Sequence, residues 1–168
     1  MAIGTAAPDF CLPATTGGTL SLSDFRGQLL YLSFWKSTSG PCIYDFPYLQ
    51  DLAQRFAGQN VVFISINLDD TEATWRQQVA QKKLPGVQLW AAGGYQAAPA
   101  LTYGVQTAPA YLLIGEDGII LNPSAKRPSS RAAVDEIKQA FGRAAQYRAV
   151  AVPVPSEAKP VFSLARKP

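Results

Sequence analysis

The chain has 168 residues, of which 48% are hydrophobic, and its formal net charge at pH 7 is +3. This length and apolar content favour one domain with a substantial core. The cations are scattered, so we expect a solvated face and no nucleic-acid binding; they include Lys126, Arg127, Arg131 and Lys138. No apolar stretch approaches the ~18 residues needed for a membrane span. Residues 1–7 also lack the charged and apolar regions of a signal peptide.

Histidine is absent, and the chain has two cysteines, Cys11 and Cys42. The missing histidine excludes Cys–His dyads, Ser–His–Asp triads and histidine-containing metal sites. Two cysteines are too few for a structural zinc cage, and no glycine-rich phosphate loop of Walker or Rossmann spacing occurs. We therefore expect no metal and no other cofactor, which leaves thiol chemistry as the candidate activity.

The predicted elements alternate between strands and helices along the chain. In order they are a hairpin over 9–22, a strand over 29–35, a helix over 42–57, a strand over 61–67, a helix over 70–83, a loop and short strand over 84–90, a short helix over 95–103, strands over 110–114 and 119–121, and a helix over 130–146. In the second helix Asp69 and Glu72 are predicted as cap and first-turn acid, with Trp75 and Val79 facing inward. Four prolines in the last 22 residues predict an extended or disordered tail over 147–168, after one domain over 1–146.

The junction between the first long strand and the following helix carries the chemistry. The strand is a short apolar run, and residues 37–41 are turn and cap formers. Apolar residues then recur at helical spacing, which places Cys42 at the start of the helix. Unpaired N–H groups and the helix dipole favour negative charge there, so we expect a stabilised Cys42 thiolate.

The segment Phe34-Trp35-Lys36-Ser37-Thr38-Ser39-Gly40-Pro41-Cys42 resembles the active-site loop of thioredoxin-fold oxidoreductases, in particular the TlpA/ResA-like branch of the AhpC/TSA-related superfamily. Other motifs of this branch follow in family order from about Gly4 to about Phe141. They are Ala7-Pro8-Asp9-Phe10 and residues 20–27 for the amino-terminal hairpin, Pro47 for the proline of the active-site helix, Thr107-Ala108-Pro109 for the cis-proline strand, and Glu116-Asp117-Gly118 for a hairpin turn.

The resemblance implies an α/β thioredoxin-like fold: a central mixed β-sheet flanked by helices, with an added amino-terminal β-hairpin and a central insertion. It also implies thiol–disulfide exchange with protein or peptide thiols and disulfides, in bacterial cell redox homeostasis. The active-site loop would include Trp35, Gly40, Pro41 and Asp45 beside Cys42. Relatives of this branch are often exported or membrane-anchored. We therefore expect the periplasm or cell envelope if a signal has been removed, and the cytoplasm otherwise.

Ser39 occupies the position of the first, nucleophilic cysteine of the family. A serine hydroxyl forms no disulfide and is a poor nucleophile without a neighbouring base, so the ordinary two-electron cycle should be impaired or lost. Two interpretations of Cys42 remain: a single reactive thiol, or a buried helix-start residue without turnover. Asp45 either tunes the protonation of this thiol or is an exposed first-turn acid.

Two alternative functions remain open. A peroxiredoxin-like thiol peroxidase would carry a hydroxyl three residues before its cysteine, as Ser39 and Cys42 do. That family's proline is replaced by Trp35, however, and its activating arginine is missing before the strand over 110–114. The other alternative is a redox-inactive module that binds an extended peptide beside Ala108 and Pro109.

Two side chains have competing interpretations. In the binding-module hypothesis Trp35 is an exposed apolar contact at the peptide groove, whereas the alternative is a packed core aromatic. Cys11 lies in a predicted hairpin strand, and we expect a packed small side chain there. A disulfide between Cys11 and Cys42 is possible in principle, but no sequence feature supports it.

Overall fold

The computed structural model describes residues 1–69 and 71–150. Within them, seven strands and four α-helices follow one another along the chain. The strands are β1 Cys11–Pro13, β2 Thr19–Ser21, β3 Leu29–Trp35, β4 Val61–Asn67, β5 Val87–Trp90, β6 Ala110–Ile114 and β7 Ile120–Asn122. The α-helices are α1 Gly40–Arg55, α2 Glu72–Lys82, α3 Ala98–Thr102 and α4 Ala132–Val150, and short 3-10 turns lie at Leu22–Phe25 and Gly94–Gln96.

Five strands form one mixed sheet in the order β5-β4-β3-β6-β7. The central strand β3 is parallel to β4 and antiparallel to β6, and β5 and β7 extend the sheet with parallel and antiparallel pairing respectively. At the end of β3, Trp35 pairs with Asn67, and Phe34 pairs with Ala110. The chain therefore leaves β3 between the end of β4 and the start of β6, and the site forms there.

Alternating side chains of β3 divide the core into two layers. Leu30, Leu32 and Phe34 pack with apolar residues of the β1–β2 hairpin and α3. Leu29 and Tyr31 point to the opposite face and pack with apolar residues of α1 and α4. The mixed sheet, the flanking helices and the amino-terminal hairpin are therefore confirmed. The short helix expected over 95–103 is a 3-10 turn followed by α3.

Helix α1 begins at Gly40, two residues before the predicted start. Ser39 is its N-cap, and the Ser39 hydroxyl accepts a hydrogen bond from the Cys42 N–H at 3.4 Å. The capping side chain thus satisfies a donor of the first turn, and Pro41 fits at a position that needs no N–H partner. Pro47 lies inside the helix, as the family motif implies.

The predicted cap of α2 is wrong. Thr71 caps this helix by accepting a hydrogen bond from the Thr74 N–H at 3.1 Å. Asp69 is instead 3% exposed and accepts hydrogen bonds from the active-site loop. Asp70, the predicted first residue of α2, lies outside the described residues. Trp75 faces inward as predicted and is fully buried.

Helix α4 continues to Val150, four residues beyond the predicted end at Gln146. The proline-rich tail predicted over 147–168 therefore overlaps the last turn of this helix, and its remainder, 151–168, lies outside the described residues. In the part of the chain that the structure describes, no helix combines the length and the hydropathy required to cross a bilayer.

Candidate active site

The loop that follows β3 is anchored by a buried carboxylate. The Ser37 N–H and the Ser37 hydroxyl both donate to Oδ1 of Asp69 at 2.9 Å. The Asn67 side-chain amide donates to Oδ2 of Asp69 at 2.8 Å. Three donors therefore stabilise this carboxylate and connect the end of β4 to the loop. Sequence reasoning missed this role, although a polar residue directly after a strand next to β3 was the available signal.

Ser39 lies against the cis-proline loop. The Ala108–Pro109 peptide bond is cis, and the Ser39 hydroxyl donates to the Ala108 carbonyl oxygen at 3.1 Å. Ser39, Ala108 and Pro109 are each half-buried, whereas Gly40 is exposed at the first turn of α1. The structure thus brings the predicted loop and the predicted peptide-binding residues into direct contact.

Cys42 is a buried thiol. Its side chain is 1% exposed and packs with Trp35, Phe46 and Trp75. Burial raises the pKa of the Cys42 thiol, and the hydrogen bonds from the Ser39 side chain and the Lys36 backbone lower it by less. The expectation of a stabilised thiolate is therefore wrong, because loss of hydration outweighs the favourable contacts of the helix start.

Trp35 is not a surface contact. It is 3% exposed, and its ring meets Phe46 edge to face with 5.2 Å between ring centroids. The exposed role that the binding-module hypothesis assigned to Trp35 is therefore wrong. The indole instead forms part of the apolar cover over Cys42.

A polar network lies next to Cys42 on α1, where Asp45 follows the thiol by three residues and so occupies a neighbouring position on the helix surface. Asp45 is 1% exposed and accepts hydrogen bonds from the Tyr111 hydroxyl at 2.7 Å and from Nε of Arg127 at 2.9 Å, both at Oδ2. The interpretation of Asp45 as an exposed first-turn acid is therefore wrong. Its charge contributes to the raised pKa of Cys42, after burial, and Arg127 acts in the opposite direction. Asp45 is thus in electrostatic contact with the thiol.

Arg127 belongs to this site and not to a purely solvated face. Its side chain is 45% exposed, yet the guanidinium forms an ion pair with Asp45 and donates from Nη2 to the Pro41 carbonyl oxygen at 3.2 Å. The 82 positions that separate Arg127 from Asp45 explain why sequence reasoning missed the pair. No local periodicity predicts a contact of this separation.

Cys11 differs from its prediction as well. It is exposed on β1, and both cysteines are free, so neither the packed side chain nor a Cys11–Cys42 bridge is present. Hydrogen bonds from the side chains of Thr19 and Ser21 lower the pKa of the Cys11 thiol. Both partners lie on β2, opposite β1 in the hairpin.

The site lacks the features of a peroxide-cleaving centre. Such a centre needs an accessible thiolate, whereas Cys42 is buried and its pKa is raised. The neighbouring cation, Arg127, is paired with Asp45. Across the described residues, no group of three or more Cys, Asp or Glu side chains is arranged to hold a metal ion. The described site therefore gives no support to peroxidase chemistry at Cys42.

Known proteins share both the sequence and the fold. A model of the AhpC/TSA family matches residues 3–122. The thiol-disulfide oxidoreductase ResA of Bacillus thuringiensis subsp. konkukian (strain 97-27) is 31% identical over 121 residues, which cover 72% of this chain and 68% of ResA. A second ResA, from Bacillus anthracis, is 29% identical over the same length.

A thiol-disulfide oxidoreductase of Bacteroides fragilis NCTC 9343 superimposes with a TM-score of 0.70 at 26% identity, covering 82% of this chain and 99% of that one. The thioredoxin domain of a thiol-disulfide oxidoreductase from Bacteroides vulgatus, at 20% identity, shares the fold with a TM-score of 0.75. Together with the ResA matches, these likenesses show that the chain belongs to the AhpC/TSA family and, within it, to the TlpA/ResA-like family of thioredoxin-fold thiol–disulfide oxidoreductases.

Proposed function

We propose that this protein binds cysteine-containing protein segments beside Ala108 and Pro109 and reacts with them through a single thiol, Cys42. The observation that carries the proposal is the contact between the Ser39 hydroxyl and the Ala108 carbonyl oxygen at 3.1 Å. This contact supports the proposal because it places the backbone that would pair with a peptide next to the loop, and Cys42 follows Ser39 by three residues.

The reaction is a single exchange step. The Cys42 thiolate attacks one sulfur of a substrate disulfide, a Cys42–substrate disulfide forms, and the other substrate sulfur leaves as a thiolate that takes a proton from water. Ser39 has no sulfur with which to resolve this mixed disulfide. Release of the substrate therefore requires an external thiol, so the step is stoichiometric without one.

The rate of this step is limited by the cover over Cys42. A side chain that is 1% exposed reacts only when the loop or the aromatic residues move aside, and a raised pKa leaves little thiolate at neutral pH. We therefore expect slow formation of the mixed disulfide, accelerated when the substrate sulfur is delivered by a peptide that occupies the groove.

A second candidate function is a redox-silent peptide-binding module. The same burial of Cys42 favours it, because pairing of a peptide strand with the backbone beside Pro109 needs no thiol. The two candidates differ in one observable: the first forms a covalent adduct at Cys42, and the second does not.

The test uses a Cys11→Ser chain, since the exposed Cys11 thiol would otherwise react first. This chain is mixed with an extended peptide whose cysteine is activated as a mixed disulfide with 2-nitro-5-thiobenzoate. The proposal predicts slow release of the coloured thiolate and an intact-mass adduct, both abolished by a further Cys42→Ala substitution. The same activated cysteine without flanking residues should react more slowly, since it lacks the backbone that pairs with the groove.

The possible outcomes separate the two functions. Retained peptide binding without an adduct at Cys42 would overturn the single-thiol proposal in favour of the redox-silent module. Equal rates with the peptide and with the activated free cysteine would instead contradict the peptide-binding groove.

A further inference from the structure

Arg127 connects three elements of the active site. It lies in the segment between β7 and α4, its Nε donates to Asp45 on α1 at 2.9 Å, and its Nη2 donates to the Pro41 carbonyl at 3.2 Å. Asp45 in turn accepts from the Tyr111 hydroxyl on β6. The guanidinium thus holds the first turns of α1 and, through Asp45, contacts the strand that follows the cis-proline.

Asp45 depends on this contact for its charge balance. The carboxylate is 1% exposed, and its Oδ1 has no hydrogen-bond partner among the described residues. Its two hydrogen bonds, from Tyr111 and Arg127, both reach Oδ2, and Arg127 supplies the positive charge. A buried carboxylate that loses its cation becomes an uncompensated charge in a medium of low polarity.

We propose that Arg127 is a positioning residue of the thiol site: its guanidinium pairs with Asp45 and holds the Pro41 carbonyl, so that Cys42 lies next to a neutralised carboxylate and not next to a free negative charge. The inference rests on the proposed function, in which Cys42 is the reacting thiol. It assigns to Arg127 control over how readily that thiol ionises.

The charges around the pair support this role. Asp45 disfavours the Cys42 thiolate and Arg127 favours it. Two other ionisable groups lie near the network. The Tyr111 hydroxyl donates to Asp45, and the charges of Glu136, Asp45 and Arg127 act on the pKa of the Tyr31 hydroxyl. The negative charge of Asp45 repels the thiolate, and the guanidinium of Arg127 offsets this repulsion. Removal of Arg127 therefore disfavours the thiolate.

The experiment measures the Cys42 titration directly by NMR, in a Cys11→Ser chain labelled with ¹³C at the cysteine Cβ. Cys42 is then the single cysteine, so one resonance reports its ionisation without requiring any reaction. We expect Arg127→Ala to raise the apparent pKa of Cys42 by about one unit, which lowers the thiolate fraction about tenfold on the acid side of the titration. Arg131 is exposed and lies in the same segment, so Arg131→Ala is the matched control and should leave the apparent pKa of Cys42 unchanged.

Two further variants separate charge from structure. Arg127→Lys keeps the cation but loses the planar fork, so we expect a smaller upward shift, and this variant replaces Arg127→Ala if the latter does not fold. A double Asp45→Asn/Arg127→Ala variant removes both charges and should return the pKa of Cys42 to the parent value or below. An unchanged titration in both Arg127 variants, or an equal shift in Arg127→Ala and the double variant, would overturn the proposal. Because the titration needs no substrate, its result stands apart from failure of the mixed-disulfide test.

Discussion

The two thiols of this protein lie in opposite environments. Cys42 lies in the first turn of the helix on which the family places its chemistry, yet it is buried and its pKa is raised. Cys11 lies on a short hairpin strand outside the family motif, yet it is exposed and its pKa is lowered by hydrogen bonds from Thr19 and Ser21. The motif therefore marks the position of the candidate active site, whereas the local environment decides which thiol ionises more readily.

The difference follows from the relative sizes of two effects, the favourable charge at a helix N-terminus and the loss of hydration on burial. Favourable charge at a helix N-terminus is worth about 0.3–1 kcal/mol, and up to ~2 kcal/mol in partly buried geometries. Full burial shifts a pKa by up to 3–5 units, at about 1.4 kcal/mol per unit. At Cys42 burial outweighs the helix terminus and the Ser39 contact. At Cys11 water remains, so the hydrogen bonds across the hairpin determine the shift.

The largest expected effect is the ratio of the two alkylation rates. In a Cys42→Ser chain the remaining Cys11 should react with iodoacetamide at pH 7.5 at least about a thousand times faster than Cys42 does in a Cys11→Ser chain. Exposure and a lowered pKa act together at Cys11, and both are reversed at Cys42. Rates are read by intact mass. Comparable rates for the two chains would mean that Cys42 is accessible, and would contradict the assignment of opposite environments to the two thiols.

The next effect tests the aromatic cover of Cys42. Phe46→Ala should destabilise the protein by about 3 kcal/mol and accelerate alkylation of Cys42, because Phe46 packs against Trp35 and the thiol in one cluster. The matched control is Phe56→Ala at the C-cap of the same helix, because Phe56 lies in a different core cluster. It should cost a similar free energy of unfolding in urea and leave the alkylation rate of the folded state unchanged. Equal acceleration by both variants would show global opening instead of a local cover.

A smaller effect concerns stability at alkaline pH. Burial raises the pKa values of the Tyr31, Tyr103 and Tyr111 hydroxyls and of the Cys42 thiol above their unfolded values. Their stabilising contributions are complete below the unfolded pKa values, near 9 to 10, and are lost as pH rises above them. Each group that ionises only on unfolding should lower the free energy of unfolding by about 1.4 kcal/mol per pH unit.

Tyr111→Phe tests this dependence. It should remove the contribution of one ionising group from the alkaline decline in the free energy of unfolding. Near neutral pH it should cost about 1–2 kcal/mol, because Asp45 loses a hydrogen-bond donor. The exposed Tyr44→Phe serves as the control and should change the alkaline slope much less, because its hydroxyl contacts only the exposed Tyr48 hydroxyl among the described hydrogen bonds. Urea unfolding at a series of pH values measures both effects. An alkaline slope identical in Tyr111→Phe and the parent would contradict the assigned burial of this hydroxyl.

The smallest expected effect concerns Ser39 as a cap. Ser39→Ala should destabilise the protein by about 1 kcal/mol, since it removes the cap of α1 and the bond to the Ala108 carbonyl. Thr71→Ala removes the cap of α2 at a similar cost. Only Ser39→Ala should change the pKa of Cys42, upward, because the Ser39 side chain favours the thiolate. If Thr71→Ala produced the same shift, the effect would be general loosening.

Much of the fold could be predicted from the sequence, for identifiable reasons. The predicted bounds of β3, β4 and β6 agree with the structure, because each is an apolar run between turn formers. The motif order from the loop through Pro109 indicated the family. These features depend on short stretches of sequence, so they are visible without coordinates.

The errors share a different cause. The exposure of Cys11, the role of Asp69 and the pairing of Arg127 with Asp45 depend on which distant residues pack on a side chain, as does the choice between the two interpretations of Trp35, of which the packed core aromatic is correct. Asp45 could be placed on a helix from sequence, but its burial results from Tyr111 and Arg127, which lie 66 and 82 positions away. The raised pKa of Cys42 has the same origin. The chemical character of this site is therefore a property of the tertiary structure.

The most direct test of the account asks whether Ser39 alone separates this protein from a working oxidoreductase. In a Cys11→Ser chain, Ser39→Cys should reduce insulin with dithiothreitol as the electron donor, at a rate clearly above dithiothreitol alone. A further Cys42→Ala substitution should abolish the turnover. A folded Ser39→Cys chain that stays at the background rate would contradict the account, because the inherited site would then lack more than the missing sulfur.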